Sequence, residues 1–148
     1  MLWLLRHAEA ADGLPDDERP LTRRGRAQAR AAGRALVRLD AKLELCLTSP
    51  KLRATETARL ACDALDLSPR EEPALGGEPF DARELTAGLE HVLLVGHDPA
   101  FSMTLHDLTG AQARMAKGGL AAIKKGELVV LLRPTELTAI AAGKKGKS

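Results

Sequence analysis

Aromatic side chains are almost missing from this sequence. Among its 148 residues there are only Trp3, Phe80 and Phe101, and no tyrosine. Surfaces that hold single-stranded nucleic acid stack bases on such rings, so nucleic acid is not an expected partner. Cysteine is equally scarce: Cys46 and Cys62 are the only two. They lack the close spacing of a metal or redox motif and sit in apolar surroundings, as buried free thiols of a reducing compartment do. No apolar run approaches the length of a membrane span, and Met1 to Leu5 is too short for the apolar core of a secretion signal. The expectation is a cytoplasmic protein with no membrane partner. Neither sign of charge dominates, with 22 basic and 20 acidic residues giving a net charge of +2. The lysines Lys144, Lys145 and Lys147 gather at the end, so residues 141–148 read as a basic, frayed tail.

What remains is an ordinary globular composition, 45% apolar and 28% charged, of a length that suits one domain over residues 1–140. Leu2 to Leu5 is an unbroken apolar run, the pattern of a strand buried on both faces. A loop rich in glycine and proline follows to Pro20. "LTRRGRAQARAAGRALVRL" then places Ala29, Ala32, Leu36 and Leu39 at helical spacing, with Thr22 as N-cap. "LELCLTS" alternates as a strand and stops at Pro50. A second amphipathic helix carries Leu52, Ala58, Cys62 and Leu65 on one face. "HVLLVGH" is the cleanest buried strand, and Asp98 and Pro99 read as the cap and first residue of the helix behind it. Last, "GLAAIKKGELVVLLR" reads as two strands joined at Lys125-Gly126. Strands alternating with helices predict an α/β fold. It should be a three-layer sandwich with a mainly parallel sheet, helices on both faces, a C-terminal hairpin and no large cap insertion.

Ligands of open α/β sheets bind beyond the carboxyl ends of the strands. Arg6 and His7 follow the first strand, His97 follows Gly96 at the end of "VLLV", and Arg53 lies just behind the strand that ends at Ser49. An arginine and a histidine where a strand meets water are, taken alone, ordinary surface residues. If the three strands are parallel neighbours, however, all four polar residues open onto one rim. Arginine offers a planar fork of donors matched to phosphate. Imidazole is a competent nucleophile near neutral pH, and phosphoryl transfer is mainly a matter of positioning and charge stabilisation. A metal is not expected: no acidic pair stands at ligand spacing from these histidines, and neighbouring arginines repel cations.

"LLRHAEA", "LTSPKLRATETA" and "LLVGHDP" together resemble the three signature segments of the histidine phosphatase, or phosphoglycerate mutase-like, superfamily. With "RPLTRRG" and "GGLAAI" between and after them, the chain is most similar to the short SixA-type phosphohistidine phosphatases, from Met1 to about Leu132. The resemblance implies that His7 is the nucleophile and becomes a phosphohistidine. It further implies that Arg6, Arg53 and His97 complete the phosphate pocket, with Arg19 and Thr22 near its rim. It implies no cofactor. The residue after His7 departs from the usual pattern: the glycine of the motif is Ala8 here.

A general acid is harder to place. Glu78, Asp81 and Glu84 lie in the segment where many relatives carry one, and Glu78 is the candidate; all three also read as exposed loop and helix acids. Glu9 is the other nearby carboxylate. Imidazole is a tolerable leaving group near its own pKa of ~6.5, so an enzyme without a dedicated acid suits a P–N bond better than an ester. The expected partner is therefore a phosphorylated, phosphohistidine-bearing protein. The open alternatives are a phosphoesterase for a small phosphorylated metabolite and a silent phosphate- or phosphoprotein-binding module.

Overall fold

The structure, a computed structural model, describes residues 1–143. These form a three-layer α/β sandwich around one six-stranded mixed sheet of order β3-β2-β4-β1-β5-β6. The strands are β1 (Leu2–Arg6), β2 (Leu45–Thr48), β3 (Arg70–Glu71), β4 (Val92–Gly96), β5 (Leu120–Lys124) and β6 (Glu127–Leu132). The pairings among β1, β2, β3 and β4 are parallel, whereas β5 runs antiparallel to β1 and forms a hairpin with β6. The helices are α1 (Arg23–Arg38), α2 (Leu52–Leu65), α3 (Ala82–Leu85), α4 (Ala100–Thr109) and α5 (Pro134–Ala141).

Alternation along each strand divides the core in two. Trp3, Leu5, Cys46, Leu93 and Val95 face α1, α2 and α5, meeting Ala32, Leu36, Ala58, Cys62 and Leu137. Leu4, Val92, Leu94 and Ala121 face the other way, onto Phe101 and Leu105 of α4 and Leu75 of a short 3-10 turn. Leu4, Leu5, Leu93 and Leu94 are wholly buried, each stabilising the sheet by about 1.5–3 kcal/mol. This unbroken burial of the central strands is why they read as continuous apolar runs.

Helix α1 starts where Thr22 accepts the Gly25 amide, as the sequence implies. Its buried stripe is made of small residues, and at Gly33 a Cβ would run into the Ala61 carbonyl of α2. The two helices therefore touch backbone to backbone.

Three details differ from the sequence reading. Helix α4 begins at Ala100 with Pro99 as N-cap, and Asp98 instead accepts from the Ser102 amide and hydroxyl. The weakly patterned stretch holds the edge strand β3 and helix α3. These are too short, at two and four residues, to show a period. Residue 141 is the last of α5, so the expected tail starts inside a helix; Lys144, Lys145 and Lys147 lie outside the described residues.

Replacing Gly33 by alanine tests the contact between α1 and α2. Helix propensity alone favours alanine by about 1 kcal/mol. The clash with a main-chain carbonyl outweighs it, and a net loss of about 1–3 kcal/mol is expected in urea unfolding.

Candidate active site

The register of β1 on β4 pairs Leu5 with Val95 and Arg6 with Gly96. The main-chain ladder then continues past the strands: the His7 amide donates to the Gly96 carbonyl at 2.9 Å, and the Ser49 amide to the Val95 carbonyl at 2.9 Å. His7, Ser49 and His97 therefore leave three neighbouring parallel strands at the same end. The fourth wall is the entry to β5, where the Gly118 amide donates to the carbonyls of Arg6 and His7. The His7 and His97 ring centroids are 5.2 Å apart.

Each ring has one nitrogen fixed. His7 Nδ1 is 2.8 Å from the Ala8 carbonyl oxygen, which can only accept, so Nδ1 carries the proton and the Nε2 lone pair is left. Ala8 is itself held, its amide donating to Thr57 Oγ1 while that hydroxyl donates to the Arg53 carbonyl. His97 Nε2 lies 2.7 Å from Ser49 Oγ. That oxygen already accepts the Lys51 amide. With the hydroxyl donating to Nε2, the buried Ser49 is satisfied and His97 Nδ1 becomes the proton-bearing atom. Among the described residues His7 Nε2 and His97 Nδ1 have no protein partner, and neither is sealed from solvent.

The arginines are held in a related way. Arg6 Nη1 donates to the Met115 carbonyl at 2.7 Å. Arg53 is buried, and its two Nη atoms donate to the main-chain oxygen and the carboxylate of Asp16, at 2.9 and 3.2 Å. In both guanidinium groups Nε is buried without a partner, so the edge made of Nε and Nη2 retains donors. No carboxylate among the described residues pairs with Arg6. A buried donor left unpaired is costly, and carboxylate or phosphate oxygens are the acceptors that match a guanidinium edge.

The local field is positive. Burial lowers the His7 pKa to about 4, assisted by the charges of Arg53, Arg6 and Lys117 against the opposing bond to Ala8. Burial likewise lowers His97 to about 3, with His7, Arg53, Lys51 and Arg6 adding to it. Both rings are neutral at physiological pH, the state in which an imidazole lone pair is nucleophilic.

The structure thus brings Arg6, His7, Arg53 and His97 to one place and leaves the candidate acids elsewhere. Glu78 is exposed and lines a surface groove with Phe80, Asp81 and Glu84. Gly77, beside it, has φ 121°, and a Cβ there would stand 3.4 Å from Lys51 Nζ. Asp81 caps α3. Glu9 accepts from Thr22 and pairs with Arg24 at 3.7 Å, so it serves the start of α1. Arg19 donates to Asp16 and to the Ala11 carbonyl. Sequence reasoning passed over Ser49, Thr57, Asp16, Lys51 and Lys117. Of these, Thr57 had a readable signal, standing one helical turn after Arg53. Among the described residues no three metal-ligating side chains converge, and no helix is long and apolar enough to cross a membrane.

Fold and pocket together define an α/β protein with a two-histidine, two-arginine site at the strand ends. The chain belongs to the histidine phosphatase superfamily (branch 1), which residues 2–77 match. It is 31% identical over 146 residues to an uncharacterized protein of Picosynechococcus sp., covering 84% of this chain and 85% of that one. The structure of the protein histidine phosphatase SixA complexed with tungstate superposes with a TM-score of 0.81 at 25% identity, over 92% of this chain and 98% of that one. A phosphoserine phosphatase from Entamoeba histolytica, in complex with 3-phosphoglyceric acid, shares the fold with a TM-score of 0.67 at 16% identity. It covers 92% of this chain and 98% of its own.

The neutral histidines set a pH dependence. Unfolded imidazoles take up protons near pH 6.5, whereas these stay neutral down to about 4 and 3 in the fold. The unfolded state therefore binds more protons below 6.5, and stability falls as pH drops. Urea unfolding between about pH 6.5 and pH 5 should show a slope of up to about 1.4 kcal/mol per pH unit for each ring. His97→Asn should remove that ring's share and leave the share of His7.

Proposed function

We propose that this chain is a metal-independent protein phosphohistidine phosphatase in which His7 is the nucleophile. The observation that carries the reading is the pairing of an unengaged His7 Nε2 with two arginines whose buried Nε donors have no partner. In the proposed reaction, Arg6 and Arg53 hold the phosphoryl oxygens and offset the charge that builds on them in the transition state. His97, with Nδ1–H toward the pocket, adds a third donor. His7 Nε2 attacks phosphorus along the line of the breaking bond, forming a P–N bond to His7 as the bond to the leaving group breaks. The Ala8 carbonyl stabilises the cationic phosphoimidazole by holding its Nδ1 proton. Water then attacks the phosphohistidine, phosphate leaves, and His7 returns to its neutral form.

Two features favour a phosphohistidine substrate. The carboxylate that reaches the four residues, Asp16, is kept ionised by Arg19 and Arg53 and has no proton for a departing alkoxide, while Glu78 lines another groove. A departing imidazole needs no such acid once its second nitrogen is protonated. The likeness to SixA across nearly the whole of both chains supports the same choice. Proteins of this fold also act on small phosphorylated molecules, as the Entamoeba phosphoserine phosphatase does, and ester hydrolysis is the alternative reading. The reducing interior of a cell is the location that the two buried free thiols favour.

Phosphate release from a phosphohistidine-bearing protein and from a panel of phosphate esters, with chelator present, tests this. Wild type should favour phosphohistidine, and His7→Ala should lose at least about a hundredfold in rate. Faster turnover of esters than of phosphohistidine would overturn the substrate assignment, and an active His7→Ala variant would overturn the nucleophile.

A further inference from the structure

The loop between β1 and α1 carries a 3-10 turn, Asp16–Glu18, in which no residue is buried. Apolar packing therefore does not hold it against Arg53. Its firmest link to the protein beneath is polar and comes from the pocket itself, through the buried Arg53. One Arg53 Nη donates to the Asp16 carbonyl and the other to Asp16 Oδ2, while Asp16 Oδ1 accepts Arg19 Nε at 2.9 Å. Arg19 is anchored in turn on the Ala11 carbonyl. The hydrogen bonds from Arg19, with those from Arg53, hold the Asp16 carboxyl below the usual carboxylate range. It stays ionised and has no proton to give a leaving group.

The geometry of these contacts decides what Arg53 can still do. A guanidinium has an end edge, made by the two Nη groups, and a side edge, made by Nε–H and the second Nη2 hydrogen. Asp16 takes the end edge with two contacts, which fixes the rotation of the group in its own plane. The side edge is left, and its Nε is the buried donor without a partner. Arg6 is arranged in parallel fashion, its Nη1 tied to Met115 and its Nε unpaired. For Arg6 the tether is an uncharged main-chain carbonyl alone; for Arg53 an ionised side chain is added to one.

We infer that Asp16 is a positioning residue for the phosphoryl-transfer step, acting through Arg53 and held by Arg19. It aims the side edge of Arg53 at the transferring group while placing a negative charge beside that guanidinium. The inference rests on the reading of Arg53 as a phosphoryl ligand and goes beyond it in assigning the aim of that ligand to a loop carboxylate. The two effects of Asp16 oppose each other. Its geometry favours the transition state, in which three equatorial oxygens must be met at defined angles. Its charge disfavours any anion in the pocket, the product phosphate included.

That opposition gives a signature a general loosening of the loop does not. The test compares wild type, Asp16→Ala and Asp16→Asn on p-nitrophenyl phosphate and on a phosphohistidine-bearing protein, with inorganic phosphate as competitive inhibitor. Asparagine keeps an oxygen for Arg53 without the charge. For Asp16→Ala, kcat should fall about tenfold, as expected of a misaimed catalytic group, while phosphate inhibits as well as before or better. For Asp16→Asn, kcat should return to within about threefold of wild type, with phosphate inhibiting more strongly. An alanine variant whose kcat stays within about twofold overturns the inference, as does an equal loss in both variants or a joint loss of kcat and phosphate inhibition. A wild type active on the ester but inert on phosphohistidine sinks only the proposed substrate, and Asp16 is then decided on the ester by these criteria. A wild type inert on both substrates overturns the two readings together.

Discussion

The site depends on one piece of main-chain geometry, the parallel register of β1 against β4. Pairing Arg6 with Gly96 and extending the ladder by the His7 amide puts the two histidines side by side, although they are ninety positions apart in the chain. A slip of one residue would turn Trp3 and Leu5 to the opposite face and carry His7 away from His97. Burial of both faces of the central strands forbids that slip. The hydrophobic core is therefore what specifies the geometry of the pocket, and the polar residues inherit their places from it.

The second organising constraint is electrostatic. Two guanidinium groups and two imidazoles share a partly dry pocket, and cations and burial act together to keep the rings neutral. Neutrality gives His7 a free lone pair, and tying Nδ1 to Ala8 decides which nitrogen bears it. In the proposed reaction the same environment that suppresses protonation of free His7 suits a dianionic phosphoryl group, because positive charge is already in place and needs no reorganisation when charge develops. Thr57 joins the two halves of this arrangement. Its single hydroxyl accepts from the segment that orients His7 and donates to the helix turn that carries Arg53.

Much of this was legible in the sequence because it is local. Apolar runs that end abruptly in Arg6-His7 and Gly96-His97 announce strands and their polar ends, and the small-residue stripe of α1 announces a closely packed helix. The three signature segments named the family. What sequence could not supply is contact between segments without a pattern of their own. Asp16 sits in a loop with no period, and its partner Arg53 is thirty-seven positions away. Ser49 and Thr57 are small polar residues whose roles exist only once β2 and α2 are in place. The acid question shows the limit in reverse. Glu78, Asp81 and Glu84 are plausible by type and position, but Glu78 and Glu84 line a separate surface groove and Asp81 caps α3.

The way the pocket is pinned bears on how the protein would fail. His7, Ser49 and the Gly118 turn are all fastened by main-chain bonds continuous with the central strands. Such bonds open only when the cooperative unit containing them opens. His7 and His97 therefore share the fate of the core, whereas the Asp16 turn, with no buried residue, belongs to a separate and weaker tier. A destabilised version of this protein would pass through two stages: first a loosened rim with both histidines still in place, then loss of both histidines at once with the sheet.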